Sequence, residues 1–148
     1  MDRPTRIRPA WAAALLALAA GVAATAQSAP FGLEKDGWTL ITASESTYVY
    51  MRPAGTAAGG VRRAWTAYDS EQPRDRQGFS FRSVQSLGEF DCRRKLSRVI
   101  EETFHAAPQL QGEVWRQPDF IPTDWAAPAP GSVGAIRMAF ACKALVDS

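Results

Sequence analysis

The single histidine, His105, and one serine, Ser132, are the residues through which this chain could carry out catalysis. One histidine excludes a metal site built from several histidines, including the H-E-x-x-H type. A Ser-His-Asp triad would have to use His105, which stands before Ala-Ala-Pro in a segment that predicts a turn, and we interpret it as a surface histidine. Ser132 lies in Gly-Ser-Val-Gly, which lacks the G-x-S-x-G spacing, and it is better explained as a helix N-cap. The sequence therefore predicts a protein with no enzymatic activity, metal or cofactor, and a small hydrolase built on Ser132 and His105 is the alternative.

A local cluster of positive charge is the strongest candidate for a binding site. The cluster comprises Arg93, Arg94, Lys95 and Arg98, joined by Arg82. Whether this segment is a helix or a strand, its basic groups gather near Cys92. Such a patch would suit an acidic partner, for example a sulfated glycan or an acidic protein loop. The alternative is an ordinary solvated face, balanced by the nearby acidic residues Glu89, Asp91, Glu101 and Glu102.

The N-terminus predicts a secretory signal peptide over residues 1–26. Three arginines precede the almost wholly apolar run 10–24, and Ala24-Thr25-Ala26 forms a small-residue cleavage site. We expect cleavage before Gln27, a flexible entry over 27–37, a single domain over 38–145, and no membrane span in the mature chain. The alternative is an uncleaved N-terminal anchor.

Removal of the signal peptide changes the charge of the protein. Residues 1–26 hold three of the 17 basic side chains and one of the 15 acidic ones, so the remainder of the chain is neutral. Nucleic-acid binding requires a net basic face, so we expect no nucleic-acid partner.

Two cysteines, Cys92 and Cys142, remain after processing. Exported compartments are oxidising, so one disulfide is the simplest expectation. Two free thiols or an intermolecular bridge are the alternatives.

Period-2 alternation and enrichment in β-branched and aromatic residues predict most of the secondary structure as strands. The predicted strands are 38–42, 47–51, 61–68, 79–84 (continuing towards 90) and 113–115, with loops at 53–60 and 69–77. Residues 92–105 fit a helix and a strand about equally well. After a proline-rich connection over 118–130, a helix is expected to start at Ser132, with a stripe of Val133, Ile136 and Phe140, and to be largely buried.

The order of several short motifs resembles the bacterial surface-adhesin protein E family across residues 36–144. The motifs are Trp38…Tyr48-Val49-Tyr50, Val61…Trp65-Thr66-Ala67-Tyr68, Phe81-Arg82-Ser83-Val84, Glu89-Phe90-Asp91-Cys92-Arg93-Arg94, and Trp125…Pro130-Gly131-Ser132…Cys142. The resemblance implies a small α+β fold, in which an antiparallel meander of about six strands is packed with a C-terminal helix. It also implies a strand within 92–105 and a structural disulfide between Cys92 and Cys142, from sheet to helix.

The resemblance further implies a non-enzymatic exported module that binds host matrix or serum proteins, or an envelope partner. Family members look like lipid-anchored outer-membrane proteins, but no cysteine lies at the cleavage site here, so we expect no lipid anchor. We therefore expect a location in the periplasm, on the cell surface or outside the cell. The alternative is a soluble periplasmic structural or accessory domain of unknown ligand, and exposed strand edges would allow a homodimer.

Overall fold

A computed structural model describes residues 32–143, and the predicted signal peptide lies outside this range. The described chain forms one antiparallel sheet whose strands follow each other in sequence order. The strands are β1 (Thr39–Ala43), β2 (Thr47–Thr56), β3 (Arg62–Arg76), β4 (Phe79–Asp91), β5 (Leu96–His105) and β6 (Val114–Trp115). A C-terminal helix, α1 (Val133–Lys143), packs on the sheet. The predicted α+β meander with about six strands is confirmed.

The β3–β4 hairpin is longer than the sequence predicts. Instead of forming a charged turn over 69–77, β3 continues to Arg76, which pairs with Phe79, and the turn is confined to Gln77-Gly78. Both turn residues have positive φ (50° and 81°), as a tight two-residue hairpin turn requires. Residues 71–76 are all exposed, so they show no apolar alternation by which the strand could be recognised. The loop predicted over 53–60 is shortened in the same way, because β2 extends to Thr56.

The ambiguous segment 92–105 is a turn followed by a strand. Residues 92–95 make the turn, and β5 pairs with β4 from Asp91↔Leu96 to Ser83↔His105. The strand implied by the family resemblance is therefore confirmed over Leu96–His105. Pairing with β4 and the contacts of Phe104 with Phe81 and Trp115 stabilise it, and these contributions are not visible in local periodicity.

Helix α1 packs against one face of the sheet. Its buried residues Met138 and Ala141 meet Met51, Ala64 and Phe90 in a hydrophobic core. Arg137 Nε donates a hydrogen bond to Thr66 Oγ1 (3.1 Å), and a disulfide joins Cys142 to Cys92. The predicted disulfide is thus present and attaches the helix to the end of β4.

The expectation of a largely buried helix is wrong. Met138 and Ala141 are its only buried residues, and Val133, from the predicted apolar stripe, is 38% exposed. A single helix on a single sheet has solvent behind it, so only one narrow face can be covered.

The opposite face of the sheet is covered by segments outside the strands. Leu33, in a short 3₁₀ helix (Leu33–Asp36), and Trp38 pack on Tyr50 and Ala67. Leu110, from the loop between β5 and β6, packs against the same cluster. Strand β1 forms one edge of the sheet, and the homodimer that exposed edges would allow stays a prediction. Across residues 32–143, the one α-helix is too short to cross a membrane.

Candidate functional site

Three consecutive cationic residues form the turn between β4 and β5. We call Arg93, Arg94 and Lys95 the basic turn; all three are exposed. Asp91 Oδ1 accepts hydrogen bonds from the backbone N–H groups of Arg93 (3.1 Å) and Arg94 (3.0 Å). This arrangement is typical of aspartate-stabilised turns. Because Cys92, which directly precedes the basic turn, is bonded to α1, the backbone is also held in place at the start of the turn.

The basic turn has no acidic partner in the described part of the chain. The two ion pairs within residues 32–143 both belong to Glu89, which pairs with Arg63 and Arg98. Asp91 is used to hold the turn backbone. The solvated-face alternative required nearby carboxylates to balance this turn. Glu89 is paired with Arg63 and Arg98, and Asp91 lies against the turn backbone without an ion pair to its side chains, so three cations face one carboxylate.

The structure divides the basic cluster expected from the sequence. Arg98 lies on β5 at the same end of the sheet as the basic turn, but its guanidinium is paired with Glu89. Arg82 lies near the opposite end of β4, where its Nε donates to the backbone oxygen of Ser70 (3.2 Å). At about 3.3 Å per residue along a strand, Arg82 is roughly 30 Å from the basic turn. Arg82 therefore does not belong to one patch with the other four residues.

Glu89 lies between two arginines on neighbouring strands, because the register places Arg63, Glu89 and Arg98 opposite each other. We call these three residues the Glu89 network. Oε1 accepts hydrogen bonds from Nε (3.1 Å) and Nη2 (2.7 Å) of Arg63. Oε2 accepts from Nε of Arg98 (2.9 Å) and lies 2.7 Å from its Nη2. Burial raises the pKa of Glu89, but the hydrogen bonds and charges of both guanidinium groups outweigh it, so the pKa lies below its ordinary value of 4.5.

Trp125 completes this part of the surface. The proline-rich connection runs along the outer edge of β5, where the backbones of Ala126 and Ser97 exchange two hydrogen bonds (2.9 and 3.0 Å). This pairing places the Trp125 ring beside the guanidinium of Arg98, with 4.6 Å between Cζ and the ring centroid. Sequence reasoning did not assign Arg63 or Trp125 to a site, because each reaches the Glu89 network through pairing of distant segments.

His105 is not a surface residue, and that expectation is wrong. It is the last residue of β5, is 8% exposed, and lies in a row with Ser83 and Asp69 on adjacent strands. The row could not be predicted from local sequence patterns, because its three members are far apart in the chain and are brought together only by strand register. Burial, followed by the charge of Arg116, lowers the pKa of His105 below its ordinary value of 6.5.

The row does not form an accessible nucleophilic site. Ser83 is 1% exposed, and its Oγ donates to the backbone oxygen of Ala107 (2.6 Å) and accepts from the N–H of Leu110 (3.0 Å). Asp69 Oδ1 accepts from the N–H of Gln109 (2.8 Å). These bonds fix the loop between β5 and β6 over the sheet. Burial raises the pKa of Asp69 more than its hydrogen bond and the charge of Arg82 lower it.

Ser132 caps helix α1, as the sequence predicts. Its Oγ accepts from the N–H of Ala135 (3.2 Å) and donates to the backbone oxygen of Ala129 (2.6 Å). Both hydrogen bonds are local to the helix start, and neither involves His105. Within the described range, no group of three or more His, Cys, Asp or Glu side chains is arranged to hold a metal ion.

Comparison of the chain with curated proteins and with solved structures found no significant match. The family model described as surface-adhesin protein E matches residues 38–143. This range contains all six strands, helix α1, the disulfide and the basic turn. The match supports an adhesin-like role in general, and the disulfide fits a protein that is exported to an oxidising compartment. The chain belongs to the surface-adhesin protein E family.

Proposed function

We propose that the mature domain is a non-enzymatic, exported binding module whose basic turn contacts a negatively charged protein or glycan partner. The observation that carries this proposal is the basic turn itself. It presents three cations on a backbone fixed by Asp91 and by the Cys92–Cys142 disulfide, with no ion pair to a described acidic residue.

Two physical properties favour binding over a purely structural role for the turn. A preorganised backbone reduces the conformational entropy lost when a partner binds. Exposed like charges act over about 8–10 Å at physiological ionic strength, which accelerates encounter with an acidic surface. Binding through this turn should therefore weaken as salt is added.

The test compares the mature domain with the triple variant Arg93→Ala, Arg94→Ala, Lys95→Ala. The matched control removes three exposed cations away from the basic turn, at Lys35, Arg74 and Arg76, and the two arginines lie at the opposite end of the β3–β4 hairpin. The probes are immobilised heparin and a poly-glutamate peptide, each at low and at physiological salt.

We expect the turn variant to lose roughly tenfold in affinity for at least one probe, because exposed ion pairs contribute about 0.2–1 kcal/mol each. The control variant should keep wild-type affinity. Equal losses in the two variants would show that only overall charge matters, and would contradict the assignment to the turn.

The location of the domain is tested by protease treatment of intact producing cells. Digestion on intact cells would place the domain at the surface, where an adhesin must act. Protection until the outer membrane is permeabilised would instead favour the alternative of a periplasmic accessory domain.

A further inference from the structure

A groove beside the basic turn is lined by the Glu89 network together with Trp125. We propose that this groove is a carbohydrate subsite that takes the carboxylate-bearing ring of an acidic sugar, a uronate. The proposal deepens the proposed function and rests on it, because it names the class of glycan that the module would bind.

The groove has the size and the walls of a small-ligand site. Its volume is about 310 Å³, at the lower end of the range for ligand pockets. Its lining combines the charged residues Arg63, Glu89 and Arg98 with Trp125 and the small apolar residues Ala57, Ala58 and Val61. Polar groups that fix orientation beside an apolar wall are typical of ligand sites.

The Glu89 network supplies one unit of positive charge to the groove. Two guanidinium groups share a single carboxylate, so one cation is left without a counter-charge. A guanidinium has five N–H donors, and Glu89 takes the Nε–H and one Nη2–H of each arginine. Nη1 of Arg63 and of Arg98 makes no hydrogen bond within residues 32–143, and the two side chains are 39% and 34% exposed.

This arrangement fits a carboxylate of single charge. Glu89 holds both arginines in one orientation, and the remaining N–H groups of a planar guanidinium match the geometry of a carboxylate. A doubly charged phosphate would exceed the free charge of the groove. The volume exceeds what the carboxylate of a protein side chain needs, and Trp125, with Arg98 stacked over its ring, adds aromatic surface against which a sugar ring can pack.

The position of the groove connects it with the basic turn. A short 3₁₀ helix, Ala58–Gly60, separates the two: Ala58 lines the groove, and Gly59 lines a neighbouring depression together with Asp91, Arg93 and Arg94. An acidic polysaccharide with a uronate in the groove would continue over this helix, and its next anionic group would meet the basic turn.

The first experiment titrates the ¹⁵N-labelled mature domain with sodium glucuronate, glucose and sodium acetate. We expect glucuronate to shift the indole N–H resonance of Trp125 saturably, with a dissociation constant in the millimolar range, and glucose to cause no shift. No saturable shift with glucuronate would overturn the proposal. Equal affinities for acetate and glucuronate would also overturn it, because the groove would then bind any carboxylate and not a sugar.

Two groove variants protect this test against a folding artefact. Trp125→Ala removes the ring, whereas Ala58→Leu fills the groove from an exposed position and leaves the Glu89 network intact. Both should abolish the response to glucuronate, followed through backbone resonances of the groove. The basic-turn variant, in which Arg93, Arg94 and Lys95 are replaced by alanine, should retain the wild-type response to glucuronate.

A second experiment separates this inference from the proposed function by comparing heparin with carboxyl-reduced heparin. We expect the groove variants to lose at least fivefold in affinity for heparin only, and the basic-turn variant to lose affinity for both polymers. If only the basic-turn variant loses affinity, the proposed function stands and the uronate subsite is wrong. If the basic-turn variant binds both polymers and the poly-glutamate peptide like wild type, the proposed function fails, and the glucuronate titration still decides the subsite.

Discussion

Loss of the Cys92–Cys142 disulfide should lower the free energy of unfolding by about 4 kcal/mol. The bridge joins residues that are 50 positions apart. In the chain-entropy description, closing a loop of this length removes about 14 cal/mol/K from the unfolded chain, or about 4 kcal/mol at 25 °C. Domains of this size are stable by about 5–15 kcal/mol, so the disulfide accounts for a large share of the total.

The native contacts of the helix should largely survive this change. Met138 and Ala141 remain packed on Phe90, and Arg137 remains bonded to Thr66 when the double variant Cys92→Ala, Cys142→Ala replaces two half-buried side chains. The effect should therefore arise mainly in the unfolded state, which becomes more expanded. The dependence of the unfolding free energy on denaturant, the m-value, should rise accordingly.

Urea denaturation of the mature domain, followed by tryptophan fluorescence, measures this effect. With an m-value of about 2 kcal/mol/M, the midpoint should fall by about 2 M in the double variant. Wild-type protein in reductant should behave like the double variant, and the double variant should not respond to reductant. A loss below about 1 kcal/mol would refute the entropic reasoning, and a separate early transition would show that α1 detaches alone.

Three further predictions concern the sheet. Glu89→Gln should destabilise the domain by about 2 kcal/mol, because it leaves two partly exposed guanidinium groups without their carboxylate. Because the pKa of Glu89 in the folded protein lies below 4.5, the unfolded chain binds more protons at this residue than the folded protein does. The stability of the wild-type protein should therefore fall as the pH drops below 4.5 and through the folded pKa. Urea midpoints should show a smaller fall in the Glu89→Gln variant. Because the pKa of His105 in the folded protein lies below 6.5, the stability of the wild-type protein should likewise decline below pH 6.5, and His105→Gln should flatten that decline. The raised pKa of Asp69 contributes in the opposite direction, but equally in both proteins. The same decline in wild type and variant would therefore contradict the assignment to His105. Gly88→Ala should lower the melting temperature, with a loss of about 1–3 kcal/mol, because the added Cβ would lie 2.9 Å from the buried ring of Phe90, and an unchanged melting temperature would show that the ring can move aside.

Local chemistry made part of the fold predictable. Alternation marked the middle of β3 and β4, and Ser132 marked the start of α1, because side-chain direction and helix capping depend on residues a few positions apart. The family resemblance supplied the strand over 96–105 and the disulfide pairing, which local patterns left open.

The sites required information that local patterns do not contain. The Glu89 network needs the register of three strands, and Trp125 reaches it only through the pairing of Ala126 with Ser97. His105 is adjacent in sequence to a loop-forming segment, yet cross-strand pairing buries it.

The sequence by itself determined the class of the molecule: a small domain of strands closed by one helix, with two cysteines, no histidine cluster and a short run of cations. Tertiary structure alone decided which of those cations stay free. Arg98 and Arg63 lie opposite Glu89 and are paired with it, whereas Arg93, Arg94 and Lys95 occupy a turn whose nearest carboxylate, Asp91, is hydrogen-bonded to backbone. The physical reason is that an ion pair needs two charged side chains within about 4 Å of each other, and in an antiparallel sheet such neighbours come from other strands.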